Sequence, residues 1–178
     1  MIWESWPWKK ELHDLALYLS AKKKQRRWPV SATTKLEKEI FLGFYIIRKL
    51  IESNKLTDAC DNLEIKVKTF PSKGKFVTHT NWHKSDEHFD LTKPNDETIS
   101  LHKLTNQFIH SFIFHQVLDQ KYGLTGFLVA SDYQKSKSLI QVDVNEVIRA
   151  CKRVSKDDIA SLHIRRDPKT HKETFVKK

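Results

Sequence analysis

The side chains best suited to chemistry lie between positions 103 and 110. Lys103, Asn106 and His110 follow one another at three- and four-residue steps, which places a cation, an amide and an imidazole along one side of an α-helix. An imidazole transfers protons near neutral pH, and a nearby cation and amide suit an anionic ligand. The same pattern also occurs where a buried histidine and asparagine tie helices together, so the pattern leaves a structural role open.

A long helix over residues 97–118 is the element expected to carry these side chains. Its apolar residues recur at three- and four-residue steps and give the helix a broad apolar face. They are Ile99, Leu101, Leu104, Phe108, Ile109, Phe112, Ile113 and Val117. Pro94 and Asp96 suit a helix start, and the following Tyr122 and Gly123 suit a stop. We therefore predict a central helix of about six turns.

The segment 105–112, TNQFIHSF, resembles the signature of the HEPN superfamily, small helical domains that include many RNA-cleaving toxins and defence proteins. In that family a helix commonly carries an arginine, a polar residue that is often Asn, three further residues, a histidine, a small or acidic residue and an aromatic residue. The residues that fit this pattern are Asn106, Phe108, Ile109, His110, Ser111 and Phe112. Thr105 stands where the family has its arginine.

The resemblance implies cleavage of RNA without a metal or other cofactor. In this reaction the ribose 2′-hydroxyl attacks the adjacent phosphorus and leaves a 2′,3′-cyclic phosphate. His110 would act as the acid or base, and Asn106 would position the phosphate or the ring. Lys103, or Arg48 from an earlier segment, would replace the missing arginine. If neither cation reaches His110, we expect a protein that binds RNA without cleaving it.

The resemblance also implies a biological setting and an assembly. Members of the family often act in toxin–antitoxin systems or in phage defence. They often pair the motif with its twin across a two-fold axis, so a homodimer is expected.

Composition and charge favour a polyanionic partner. The chain has 178 residues, with 32 Lys and Arg against 22 Asp and Glu, and a net charge of +10 at pH 7. Its length and its 39% hydrophobic residues predict a single domain, 1–178, with a substantial core. The charge favours nucleic acid, and the resemblance favours RNA over DNA. A basic surface that only confers solubility would give the same composition.

Cysteine use and hydropathy predict a cytoplasmic protein. Cys60 and Cys151 belong to no CxxC pair, which favours two reduced thiols in a cytosolic chain. The N-terminal segment has no apolar signal-peptide core, and the apolar uncharged run 40–47 is too short to span a bilayer. We therefore expect no membrane association.

Two basic clusters are candidate phosphate-binding surfaces. The first ends the predicted N-terminal helix and the second lies in the tail; their members are Lys22, Lys23, Lys24, Arg26 and Arg27, and Arg165 and Arg166. Cations at the end of a helix also favour the helix dipole, so the first cluster has a structural interpretation as well. Trp28 is available to stack on a base, and the Trp-rich N-terminus is available to dock a partner protein. The alternative to a HEPN-like enzyme is therefore a noncatalytic nucleic-acid-binding or accessory protein.

The whole pattern predicts an α+β fold, with a helical core of three to four helices and antiparallel β-hairpins inserted and appended. Its parts are an N-terminal helical pair (1–56), a hairpin with a polar loop (57–93), the central motif helix (94–121), and a hairpin, short helix and basic tail (124–178). A capping box at Thr34 and Glu37 is expected to begin the second helix.

Strand-like segments define the predicted hairpins. Residues 63–68 and 76–78 are expected to form the first, and residues 127–131 and 138–142 the second. A third hairpin in the tail is one of two interpretations, the other being an ordered basic arm.

The polar loop 79–88 could hold a metal ion through His79, His83, Asp86 or His88, although no characteristic ligand spacing supports such a site.

Overall fold

The computed structural model describes residues 1–178 and contains six helices, a five-stranded sheet and a separate two-stranded hairpin. The helices are α1 (Trp6–Lys22), α2 (Val30–Glu52), α3 (Asp58–Asp61), α4 (Ser85–His88), α5 (Leu101–Ile109) and α6 (Val144–Ser155). The strands are β1 (Glu64–Pro71), β2 (Asn95–Ser100), β3 (Ser111–Leu118), β4 (Leu124–Ser131), β5 (Ser138–Asp143), β6 (Leu162–Arg166) and β7 (Glu173–Lys177). The α+β class expected from the sequence is confirmed.

The large sheet is antiparallel throughout and has the strand order β2-β1-β5-β4-β3. α5 and α6 contact the strands, and α1 and α2 pack against these two helices. Aromatic rings fill the space between them. Phe44 of α2 stacks on Phe108 of α5 with ring centroids 3.8 Å apart, and Phe127 of β4 meets Phe108 edge-on at 6.2 Å. This packing fixes α5 between α2 and the sheet.

A long connection, residues 72–94, covers part of the opposite face of the sheet. Val77 and Phe89 from this connection are buried against Ile113, Ala130 and Leu139 of the three strands β3 to β5. These strands therefore have apolar side chains on both faces. Strands that are buried on both sides lack the clean polar and apolar alternation of a half-exposed strand.

The central helix predicted over residues 97–118 is wrong, because this segment divides into the end of β2, then α5, then β3. The Ser100 hydroxyl accepts a hydrogen bond from the Lys103 backbone N–H (3.1 Å) and begins α5 at Leu101. After Ile109 the chain pairs with β4. The apolar spacing fits a helix as well as a strand here, because β3 is covered on both faces.

The hairpin predicted from residues 63–68 and 76–78 is also wrong. β1 pairs with β2 on one side and with β5 on the other, and residues 76–78 form no strand. The core is consequently shared between helices and sheet, and the predicted core of three to four helices with hairpins added to it is not confirmed.

Local signals near the C-terminus were more informative. The hairpin of β4 with β5 and the short helix after it are confirmed, and Asp143 caps this helix. Of the two interpretations of the tail, the hairpin is the one observed, formed by β6 and β7. In the N-terminal half of the chain, α2 begins at Val30, before the predicted capping box at Thr34. The reason is that the Pro29 carbonyl already accepts hydrogen bonds from the backbone N–H groups of Ala32 (2.9 Å) and Thr33 (3.1 Å). None of the helices is both long and apolar enough to cross a bilayer.

Candidate functional site

A surface cleft of about 520 Å³ lies where α2, α5 and the turn between β4 and β5 meet. We call it the basic cleft and define it by its lining residues, which are Arg48, Lys103, Asn106, Gln107, His110, Ser131, Asp132 and Tyr133. All four residues predicted to be catalytic, at positions 48, 103, 106 and 110, are therefore brought together. Nothing in the local sequence around residue 106 indicates that Arg48 is its neighbour.

Arg48 reaches the motif from the neighbouring helix. Its Nη1 donates a hydrogen bond to Oδ1 of Asn106, and its Nε donates to a carboxylate oxygen of Glu52 at 2.6 Å. Glu52 also pairs with Lys49 at 3.0 Å, and the hydrogen bonds from Lys49 and then Arg48 lower the pKa of the Glu52 carboxyl. Arg48 is thus held over α5 by one amide and one shared carboxylate, with part of its positive charge compensated.

Lys103 and His110 present their functional groups to solvent. Lys103 takes part in no ion pair, and no hydrogen bond engages the ring of His110. The backbone of His110 is fixed on both sides, since its N–H donates to the Asn106 carbonyl (3.2 Å) and its carbonyl accepts from the Asp132 N–H (3.0 Å). An anchored backbone with a free imidazole is an arrangement suited to ligand contact.

A buried amide locks α5 to the end of β4. Oε1 of Gln107 accepts a hydrogen bond from the Ser131 backbone N–H at 3.1 Å, and both residues are buried. The Ser131 carbonyl in turn accepts from the N–H groups of Gln134 and Lys135, each at 2.9 Å, which closes the turn after β4. The two walls of the basic cleft are therefore joined by the hydrogen bond between Gln107 and Ser131.

The position where the family pattern expects arginine is part of the core. Thr105 is completely buried, and its hydroxyl donates to the His102 carbonyl at 2.8 Å. The cation beside Asn106 comes instead from Arg48, 58 positions earlier in the chain. Lys103 provides a second cation from α5 itself.

Four residues of the basic cleft were not among the sequence-based candidates: Gln107, Ser131, Asp132 and Tyr133. The hairpin predicted from residues 127–131 and 138–142 implies a turn over residues 132–137, but nothing in the sequence connected this turn with His110. The connection comes from the pairing of β3 with β4, in which Ser111 is opposite Ser131.

The two predicted basic clusters lie apart from the basic cleft and from each other. Lys23, at the end of α1, donates to Oδ1 of Asn145 at the start of α6 (2.6 Å). Arg166 lies beyond the other end of α6, in the β6–β7 hairpin, where it pairs with Glu173 at 2.8 Å. The predicted members at positions 22, 24, 26, 27 and 165 belong to these same two places and do not line the basic cleft. One continuous surface made of both clusters is not formed.

Trp28 has less freedom to stack on a base than expected. It packs against the core, and its indole N–H donates to the Tyr122 carbonyl at 2.8 Å.

The histidine-rich loop does not assemble a metal site. His88 is buried and its Nε2 is 3.0 Å from the Asn81 carbonyl, whereas the ring of His79 packs on Phe112 with centroids 4.8 Å apart. No group of three or more His, Cys, Asp or Glu side chains in the chain is arranged to hold a metal ion. The ligands considered at positions 79, 83, 86 and 88 are therefore not brought together.

A larger groove, of about 750 Å³, lies on the other side of α5. Its apolar wall is formed mainly by Phe41, Leu42, Tyr45 and Phe108, and its charged side chains come only from residues 37–39 of α2. It contains no imidazole and no paired cation and amide. The basic cleft, although smaller, holds the groups that could perform chemistry.

Comparison of the chain with protein-family models, with curated proteins and with solved structures finds no match. The interpretation of the basic cleft therefore depends on its own geometry.

Proposed function

We propose that this chain is an RNA-binding protein whose basic cleft holds a phosphodiester and cleaves it without a metal ion. The observation that carries the proposal is the convergence of two cations, an amide and an unpartnered imidazole on one cleft. Lys103 and Arg48 would bind the non-bridging phosphate oxygens and offset the charge that grows on them during the reaction. Asn106, held by Arg48, would keep the phosphate or the imidazole in place.

The proposed chemistry needs only one well-placed proton acceptor. His110 removes the proton of the ribose 2′-hydroxyl, and the 2′-oxygen forms a bond to phosphorus as the bond from phosphorus to the 5′-oxygen breaks. The leaving 5′-oxygen takes a proton from water. The products are a 2′,3′-cyclic phosphate on one fragment and a 5′-hydroxyl on the other.

The resemblance to the HEPN superfamily adds to this proposal. The matching residues extend from Asn106 to Phe112, so they span the second half of α5 and the start of β3. Arg48 supplies from α2 a cation beside Asn106, where the linear motif lacks its arginine. A HEPN-like role in a toxin–antitoxin or phage-defence system, and a homodimer that joins two such clefts, are predictions that follow from the resemblance.

A noncatalytic RNA-binding or accessory role is the second candidate, and one observation favours it. His110 is the only imidazole in the basic cleft, and Arg48 shares its charge with Glu52. A site with one proton-transfer group and a partly compensated cation binds phosphate more readily than it cleaves it. In this case His110 would matter little, and affinity would come from the cleft cations or from the cluster at the end of α1.

The test compares four proteins on a mixed pool of structured RNAs in the presence of EDTA. They are the wild type, His110→Ala, Arg48→Met, and His163→Ala as a matched control, since His163 is exposed on the distant β6 strand. Product ends are identified chemically, and thermal melts verify that each variant is folded. Removing the proton acceptor should slow cleavage about a hundredfold or more, whereas the control should cleave like the wild type.

Binding is measured in parallel at two salt concentrations. Arg48→Met and Lys103→Met should each weaken RNA binding and reduce its salt dependence, because each removes about one phosphate contact. Lys24→Met, from the cluster outside the cleft, should change binding little. Binding without cyclic-phosphate products, together with unchanged affinity in His110→Ala, would favour the noncatalytic role. Equal affinity in all the lysine and arginine variants would contradict the assignment of the cleft.

A further inference from the structure

Tyr133 is an exposed aromatic ring at the wall of the basic cleft. It lies in the turn between β4 and β5, and 78% of its surface is accessible to solvent. The ammonium of Lys137 lies 3.6 Å from the centroid of the ring. An exposed ring beside two cations and an imidazole is not explained by packing, because the ring contributes nothing to the buried core.

The turn that carries Tyr133 is closed by hydrogen bonds around this residue. The Ser131 carbonyl accepts two backbone N–H groups, Lys137 N–H donates to the Gln134 carbonyl (2.8 Å), and Nε2 of Gln134 donates to the Ser138 hydroxyl (2.6 Å). The preceding residue, Asp132, is bonded through its N–H to the carbonyl of His110. The backbone of the turn that carries Tyr133 is therefore anchored to that of His110 before any ligand arrives.

The charges around Tyr133 are compatible with an anionic ligand. Asp132 is the only carboxylate that lines the basic cleft, and its carboxylate pairs with Lys135 at 2.7 Å. Lys103, across the cleft, has no ion-pair partner. Glu52, the carboxylate that pairs with Arg48, is also paired with Lys49. Both carboxylates are thus compensated by cations, so a phosphate bound between Lys103 and Arg48 would meet little repulsion. The adjoining base would lie on the side of the cleft that Tyr133 forms.

We propose that Tyr133 is a stacking platform for an unpaired base, and that the ligand of the basic cleft is consequently a single-stranded stretch of RNA. The proposal rests on the proposed function, since it specifies which RNA the cleft accepts. A base within a duplex has both faces covered by its neighbours, so only an unpaired base can offer a free face to an aromatic ring. Lys137 occupies one face of Tyr133, and the base stacks on the other.

The chain contains a matched control for this ring. Tyr45 on α2 is 45% exposed, and the ammonium of Lys49, also four residues later, lies 5.6 Å from its centroid. Tyr45 lines the apolar groove and not the basic cleft. The substitution of either tyrosine by alanine removes an exposed ring next to a lysine, but only one of the two substitutions changes the cleft.

The experiment measures binding of short labelled RNAs by fluorescence anisotropy. The probes are a single-stranded oligoadenylate and a blunt RNA duplex, and the proteins are the wild type, Tyr133→Ala, Tyr133→Phe, Tyr45→Ala and Arg48→Met. Loss of one stacked base should weaken binding of the single strand by about fivefold to a hundredfold in Tyr133→Ala. Tyr133→Phe and Tyr45→Ala should bind it like the wild type, and the duplex should bind more weakly and be insensitive to Tyr133→Ala.

The outcomes separate this inference from the proposed function. If Arg48→Met weakens binding while Tyr133→Ala behaves like Tyr45→Ala, the stacking platform is refuted and the RNA-binding cleft stands. If Tyr133→Ala weakens the single strand and the duplex equally, stacking on an unpaired base is refuted as well. If the wild type binds neither probe, or Arg48→Met binds both like the wild type, the proposed function fails and this inference fails with it.

Discussion

Two glutamines of the chain should respond in opposite ways to the same substitution. Oε1 of Gln107 is buried and accepts the backbone N–H of Ser131, whereas Oε1 of Gln116 on β3 is buried and has no hydrogen-bonding partner in the protein. Replacement of Gln107 by leucine leaves the Ser131 N–H unpaired in a buried place, which costs about 1–3 kcal/mol. Replacement of Gln116 by leucine removes an unsatisfied polar atom and should be neutral or slightly stabilising.

The expected loss is large enough to measure. An unfolding entropy of roughly 2.1 cal/mol/K per residue over 178 residues is about 0.37 kcal/mol/K, so the loss in Gln107→Leu corresponds to a Tm lower by about 3–8 °C. Urea unfolding followed by tryptophan fluorescence gives the free energy directly, and the slope with urea should be the same for both variants and the wild type. The Gln107→Leu variant should also bind RNA more weakly, because the β4–β5 turn is no longer tied to α5.

Gln116→Leu is the matched control, since it makes the same chemical change at another amide whose Oε1 is buried. If Gln107→Leu is no less stable than Gln116→Leu, the bond between Gln107 and Ser131 does not hold the two walls of the basic cleft together. The β4–β5 turn would then not be fixed in advance of ligand binding.

Three further measurements test other parts of the fold. Burial raises the pKa of both cysteines, Cys60 and Cys151, to about 12. A thiol reagent at about pH 8 should therefore label neither cysteine until the protein unfolds. Rapid labelling of the native protein would contradict their burial. Desolvation lowers the pKa of His115, which stacks on Trp82, below its ordinary value of 6.5, so the unfolded chain takes up this proton first. The folded state should therefore lose stability as the pH falls below about 6.5, and His115→Phe should make this loss smaller when the urea midpoint is measured against pH. The same loss in wild type and variant would refute the lowered pKa of His115. A Cβ at Gly126 would lie 2.4 Å from the carbonyl oxygen of Val142 on the paired strand. Gly126→Ala should therefore lower the free energy of unfolding by about 1–3 kcal/mol and lower the Tm in thermal melts. An unaltered Tm would show that the strands can move apart without loss of stability.

Local sequence patterns predicted the elements whose contacts are also local. Asp143 caps α6, and its carboxylate accepts the Asn145 N–H at 2.7 Å, as a capping residue before an amphipathic run predicts. The hairpin of β4 with β5 was likewise predicted from two strand-like runs across a short polar turn. Such elements are determined within a few residues, where propensity and hydrogen bonding of the side chains act directly on the backbone.

Pairings between distant segments were not predictable in the same way. β1 joins β2 and β5 across long intervals of the chain, and residues 97–118 change from strand to helix to strand without a break in their apolar character. Because β3 packs apolar side chains on both faces, it lacks the alternation that would have identified it as a strand. The choice between helix and strand there depends on what covers each face, which is a property of the whole fold.

The same division applies to the basic cleft. The sequence alone shows which residue types are available, namely Lys103, Asn106 and His110 close together and Arg48 near the end of the second predicted helix. Only the tertiary structure brought Arg48 onto Asn106 and placed Tyr133 beside His110, because the stacking of α2 on α5 and the pairing of β3 with β4 join segments that are far apart in the chain. A short motif specifies its own side chains, but the groups that surround it are supplied by long-range packing.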